Sequence, residues 1–201
     1  MHIGIIGRAR VGKDTAGAWL VNNCGYARVA FADALKDAAL RINPIVQVDA
    51  LGDGFDTFEY RLAEIVAADG WEEAKDYPEV RRFLQELGAS IRAVDPEIWI
   101  RAALARVDEI GERTGCCTVI TDVRYPNEVA ALRARGFHLL YIDRPGVPHL
   151  VHESEGTLGP DDADHTIINA GSVADLESAV SQFHAHVHTA ESARQYGRSY
   201  E

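Results

Sequence analysis

The chain has 201 residues, 47% of them hydrophobic and 25% charged, and a formal net charge of −11. This is an ordinary globular mix, large enough to build a core without disulfide or metal staples. The charge argues against a duplex-binding surface, which draws its affinity from Lys and Arg on phosphates, though not against a small anion held in a cleft. Residues 2–7 (HIGIIG) form a short β-rich run ending in glycine and read as a buried strand. The spacing predicts a helix over 13–23, with Gly25 as its C-terminal stop. A second strand is expected over 26–32, then a helix over 33–42 with Asp33 as its N-cap. Strand–helix–strand–helix is the opening of a parallel sheet with crossover helices, so the fold class is α/β.

Residues 43–54 contain Pro, Gly and Asp and read as a connection. No strand is read over 57–111. Helices are expected near 57–68, 78–92 and 96–110, the last with Asp95 as N-cap and Pro96 in its first position. A helical block between strands reads as a substrate-binding insertion over 45–95, on a core of 1–44 and 96–201 that makes one domain of 1–201. A strand follows over 116–123 (CCTVITDV), then a helix opened by Pro126 and stopped at Gly136, and a strand over 137–142. Residues 144–163 read as a long loop or lid, 165–169 as a last strand, 172–188 as an amphipathic helix, and the tail from Thr189 as frayed. Cys24, Cys116 and Cys117 are an odd count with an adjacent pair, so reduced thiols are expected rather than disulfides or zinc. No leader is read at the N-terminus, and no apolar run reaches membrane length. The expectation is therefore a cytoplasmic protein with neither membrane nor nucleic acid as partner.

The stretch GIIGRARVGKDTAGAWL (4–20) carries the chemistry. Gly7 and Gly12 let the backbone curl so that its N–H groups face an anion, and Lys13 adds a point charge at a helix N-terminus. Where Ser or Thr is usual stands Asp14, with Thr15 one place late. Magnesium prefers oxygen ligands, so Asp14 or Thr15 can hold it; alternatively Asp14 balances the helix dipole. Asp122 ends an apolar strand, where phosphate-loop enzymes keep a metal-facing acid, and Arg124, Asn127 and Glu128 lie just beyond. Transfer between two phosphates needs cations on both, for which Arg8, Arg10, Arg82, Arg92, Arg124 and Arg144 are candidates. Trp99 is a candidate base contact. His184 and His188 share a helix face that reads as solvated.

GRARVGKDT (7–15), FADALK (31–36), RRFLQELGASIRAVDPEIWIR (81–101), VITDVRYPNEV (119–129) and HTIINAGSVADL (165–176) resemble the phage-type deoxynucleoside monophosphate kinases, a branch of the phosphate-loop kinases. These segments span nearly the whole length, and G-K-D-T together with D-V-R-x-P-N-E carries the specificity. G-K-D loops are also similar to those of phosphomevalonate kinases, and INAGSVADL to a segment of dephospho-coenzyme A kinases. The resemblance implies a parallel-sheet kinase core with a helical acceptor-binding insertion and a lid loop. It implies ATP-dependent phosphorylation of deoxynucleoside monophosphates to diphosphates, Mg2+ as cofactor, small nucleotides as partners, and the host cytoplasm if phage-encoded. It places Gly7, Arg8, Ala9, Arg10, Val11, Gly12, Lys13, Asp14 and Thr15 on the ATP phosphates, and Asn169 to Gly171 beside the adenine. Asp33, Lys36, Gln85 and Arg92 fall on the acceptor, to which Trp99, Arg124 and Glu128 are added, and Arg144 belongs to the lid. The catalytic set is Lys13, Asp33, Asp122 and Arg124; the metal set is Asp14, Thr15 and Asp122. The lid departs from the pattern in carrying one arginine. A homodimer is among the states this reading admits. The rival readings are a kinase of another small phosphorylated acceptor and a nucleotide-binding switch without transfer.

Overall fold

The computed structural model describes residues 1–51, 56–147 and 157–198. In chain order the elements are β1 (His2–Ile6), α1 (Lys13–Cys24), β2 (Ala27–Val29), α2 (Phe31–Ile42), β3 (Ile45–Leu51), β4 (Asp56–Arg61), α3 (Leu62–Ala74), α4 (Pro78–Val94) and α5 (Ile98–Thr114). There follow β5 (Thr118–Val123), α6 (Pro126–Ala134), β6 (Phe137–Asp143), β7 (His165–Ile168) and α7 (Val173–Arg198). The described residues fall into two compact units: Met1–Phe31 with the residues from Ala103 onward, and Ala32–Ala102.

The first unit is a five-stranded sheet in the order β2-β5-β1-β6-β7, with every neighbouring pair parallel. The expected α/β class with a parallel sheet is what forms. Ile3 and Ile5 of β1 are fully buried on one face, against Val11, Leu20 of α1 and Leu176, Val180, Phe183 and Val187 of α7. Gly4 faces the other way, where a Cβ would come within 2.8 Å of Leu139 and 2.9 Å of Leu132 on α6. Coverage of both faces is why residues 3–6 (IGII) are continuously buried and carry no polar side chain instead of alternating. Gly17 lets α1 lie against β5, since a Cβ there would stand 2.4 Å from Thr121 Cγ2. Because all five strands are parallel, their carboxyl ends share one edge, the edge at which open α/β sheets bind ligands.

The second unit holds a two-stranded antiparallel sheet, β3 with β4, and the helices α3 and α4. Its core is Ala39, Val46, Leu62, Ile65, Ala74 and Val80. The hairpin corrects three expectations: residues 43–54 are not merely a connection, a strand does enter the stretch 57–111, and the helix expected over 57–68 starts at Leu62. Asn43 and Pro44 decide that start. The Leu62 N–H donates to the Pro44 carbonyl at 2.9 Å and the Ala63 N–H to Asn43 Oδ1 at 2.9 Å, capping α3 from across the hairpin. Gly70, at φ 82°, breaks α3 internally.

Three further boundaries move. The second helix begins at Phe31, two residues before Asp33, which therefore lies in its first turn and is not its N-cap. The helix expected over 96–110 runs from Ile98, although Asp95 does accept the Glu97 N–H at 3.1 Å. The last helix runs on to Arg198, past the point where fraying was expected, and His138 Nε2 meets Glu191 Oε1 at 2.9 Å along that extension. Of the loop or lid read over 144–163, residues 148–156 lie outside the described residues. No helix among the described residues is long and apolar enough to cross a membrane.

Candidate active site

The loop between β1 and α1 has positive φ at Gly7 (151°), Arg10 (64°) and Gly12 (106°). Both glycines also sit where no side chain fits. A Cβ at Gly7 would meet the Ile142 carbonyl oxygen at 2.5 Å; one at Gly12 would meet Leu176 Cδ2 at 2.7 Å and Asn169 Nδ2 at 2.8 Å. Val11 is fully buried and anchors the loop in the core. Asn169, 5% exposed, donates Nδ2 to the Val11 carbonyl at 2.9 Å. In a trans peptide the carbonyl and the following N–H point in opposite directions, so this bond aims the Gly12 N–H away from Asn169. Gly12 is the N-cap of α1 and has no side chain to occupy the first N–H groups of that helix, which leaves the end suited to an anion. Lys13, 9% exposed, opens α1 and donates its ammonium to the Arg8 carbonyl at 2.5 Å. The Arg8 guanidinium is engaged elsewhere: Nη2 meets Asp143 Oδ1 at 2.7 Å and Nη1 donates to the Val147 carbonyl at 3.1 Å. Its side chain is thus turned towards the end of β6 and the segment after it. Arg10 is exposed, as is Asp14 in the first turn of α1.

At the end of β5, Asp122 Oδ1 accepts the Phe31 N–H at 2.9 Å. This carboxylate opens α2 at Phe31, which is why the helix starts ahead of Asp33. Arg124 is exposed just beyond. Glu128 is 3% exposed, and its Oε2 accepts the N–H groups of Arg124 at 2.7 Å and Tyr125 at 3.1 Å. It caps α6 and fixes the backbone that carries Arg124, which corrects its expected role as an acceptor ligand.

Gly12, Thr15, Arg144, Asn169, Gly171, Ser172, Val173 and Leu176 line a cleft beside the loop. Residues expected on ATP, together with the lid arginine, therefore share one cavity. At its rim Ser172 donates through both N–H and Oγ to Asp175 Oδ2, holding that carboxyl below the usual range and closing the first turn of α7. Among the described residues no cluster of three His, Cys, Asp or Glu side chains could cage a metal. Magnesium needs no such cage, because it binds one or two protein oxygens alongside substrate phosphates, and the hard oxygens of Asp14, Thr15 and Asp122 suit it.

The remaining residues expected on the acceptor lie in the second unit. Lys36 holds its ammonium 5.3 Å from the centre of the Trp71 ring, a cation–π contact. Gln85 is exposed on α4, and Arg92 is half-buried in that helix's last turn. Arg82 is exposed and pairs with Glu79 and Glu86 on its own helix. Trp99 is 6% exposed and donates its indole N–H to the Gly88 carbonyl at 3.4 Å, so it is a core residue and not a base contact. Asp143 was missed. It ends an apolar strand as Asp122 does, and the same strand-end signal marks it.

A model of the deoxynucleotide monophosphate kinase family matches residues 38–180. The chain belongs to this family. A relative named "Putative deoxynucleotide monophosphate kinase", from Acanthamoeba polyphaga mimivirus, is 26% identical over 155 residues, 72% of this chain and 75% of that protein. The uncharacterised protein ORF77 of Ictalurid herpesvirus 1 (strain Auburn) is 34% identical over 110 residues, 53% of this family member but only 48% of the herpesvirus protein. The shikimate kinase of Aquifex aeolicus vf5 overlaps 90% of this chain and 95% of its own, at 10% identity and a TM-score of 0.43, a superposition too loose to add to the topology above.

Proposed function

We propose that this member of the family transfers the γ-phosphoryl group of ATP to a deoxynucleoside monophosphate. The observation that carries the reading is the loop after the central strand β1: glycines that admit no side chain, an uncapped helix N-terminus and a lysine held over the loop. The ATP phosphates would lie on the N–H groups of that loop, and Lys13, keeping one N–H on the Arg8 carbonyl, would turn its remaining donors to the β- and γ-oxygens. The cleft lined by Thr15, Arg144, Asn169 and Gly171 would take the rest of the nucleotide. Asp14, Thr15 and Asp122 are the residues that would hold magnesium, which when bound supplies charge neutralisation at the phosphates.

Lys36, Gln85 and Arg92 would recognise the acceptor, with Asp33 nearby, and Arg124 would stabilise charge on the transferring group. No covalent intermediate is needed, because positioning and charge stabilisation carry most of such a reaction. A panel of ribo- and deoxyribonucleoside monophosphates with ATP, read as ADP formation, tests the reading. Turnover is expected with at least one deoxynucleotide. ATP binding without ADP formation on any acceptor would replace the kinase with a nucleotide-binding switch. Arg92→Ala is expected to raise KM for the monophosphate about ten-fold, roughly 1.4 kcal/mol of lost binding, while KM for ATP stays put.

A further inference from the structure

We propose that Arg8 is a positioning residue of the phosphate loop, clamped to the end of β6 by Asp143 and Val147 so that its own carbonyl holds Lys13 in place. The inference rests on the reading that this loop takes the phosphates of ATP. Its guanidinium is 14% exposed and bonds two different groups, the Asp143 carboxylate at 2.7 Å and the Val147 carbonyl at 3.1 Å. A planar fork held at two of its nitrogens has its orientation fixed, which a single contact would not achieve. The preceding residue is held along the same strand, with Gly7 pressed on the carbonyl of Ile142, the neighbour of Asp143. Residues 7 and 8 are therefore seated on β6 by two successive contacts, and the Arg8 carbonyl that results is the acceptor for the Lys13 ammonium at 2.5 Å.

Charge supports the same assignment. Asp143 stands at the ligand-binding edge of the sheet, beside Arg144 of the cleft. A bare carboxylate there would repel a triphosphate. Arg8 neutralises it; if Arg8 swung onto a phosphate instead, Asp143 would be left facing an anion. The side chain thus does two things, seating the loop and screening Asp143, and neither places it on the nucleotide.

Calorimetric titration of the full chain with ATP, beside a melting curve, tests this. Asp143→Ala is expected to weaken ATP about five-fold or more, because the loop loses its seat. Arg8→Ala is expected to weaken it further, because Asp143 is then bare, and Arg8→Ala with Asp143→Ala is expected to bind better than Arg8→Ala alone. Arg8→Lys, which keeps the charge and loses the fork, is expected to fall between Arg8→Ala and the unaltered protein. If Arg8 instead contacts phosphate, Asp143→Ala releases it: ATP binds as well as before or more tightly, and the double variant is as weak as Arg8→Ala. That pattern would overturn the proposal. Asp143→Asn gives the same comparison should the alanine variant not fold. Because the readout is ATP binding, a protein that binds ATP yet phosphorylates no monophosphate defeats the proposed reaction and leaves this test intact.

Discussion

Lys13 is almost buried, and its ammonium has a carbonyl partner in the loop. Lys13→Met keeps the stem and removes the charge. The lost hydrogen bond from a charged donor is worth about 1.5–3 kcal/mol of stability, whereas a lost charge-stabilising group costs roughly a hundred-fold or more in kcat. A melting temperature lowered by several degrees in a variant that still folds, with kcat down by that factor, is the expected result, read by thermal melting and steady-state kinetics. Asp14 is exposed in the same first turn, and its two possible roles separate cleanly. If it binds magnesium, Asp14→Ala raises the magnesium concentration needed for half-maximal rate and Asp14→Ser partly restores it. If it serves only the helix dipole, the midpoint of the titration stays fixed and the loss is about 0.3–1 kcal/mol of stability. The metal role is the expected outcome.

At the scale of elements, the close approach of α1 to β5 depends on one missing methyl. Gly17→Ala would gain about 1 kcal/mol of helix propensity. It would also set a Cβ 2.4 Å from Thr121 Cγ2, more than an ångström inside carbon–carbon contact. Overpacking of this kind costs about 1–3 kcal/mol, so the steric effect wins and the urea midpoint falls. In a Thr121→Ser background the offending methyl is gone, and the same substitution is expected to stabilise. The elements that were misread in the sequence have identifiable causes. β3 has its alternation interrupted by the register shift between Ile45 and Gln47, and the hairpin leaves Val48 and Phe58 more than half exposed, so no clean two-residue period is visible. Its pairing partner, DTFEYR, looks equally like the first turn of the helix that follows. α2 starts early because its cap is supplied by a residue 91 positions away, which no local pattern contains.

For the molecule as a whole, pH offers a test of how its histidines are packed. His2, His165 and His184 are each held below their ordinary value of 6.5, chiefly by burial, with the N-terminal ammonium, His186 and His188 adding repulsion respectively. His184, expected on a solvated face, packs edge-on to Tyr26. For a group whose folded value lies below its unfolded one, the unfolded chain binds more protons, so stability rises with pH. The histidine contribution is therefore complete above about pH 6.5 and lost as pH falls through that value towards the depressed ones. The carboxylates of Asp95, Asp108, Glu79 and Glu109 are held low by arginine partners, and their contribution disappears only in more acid solution. Urea unfolding between pH 7 and 5 should show a falling midpoint, and His165→Gln or His184→Gln should each flatten that slope.

The central strand, the curl of the loop after it, the lysine at its helix and the parallel α/β class are all legible in the amino-acid order. The strand, loop and lysine are legible within residues 2–15, and the class follows from the strand–helix–strand–helix order over residues 2–42. What those residues lean on is set by packing between distant parts of the chain. Arg8 and Asp143 are 135 positions apart, Asn169 and Val11 158 apart, and Asp122 and Phe31 91 apart, yet each pair is bonded. A parallel sheet is the reason. It gathers the carboxyl ends of five strands, far apart in the chain, on one edge, so the partners of the loop are set by strand order and not by any spacing along the sequence.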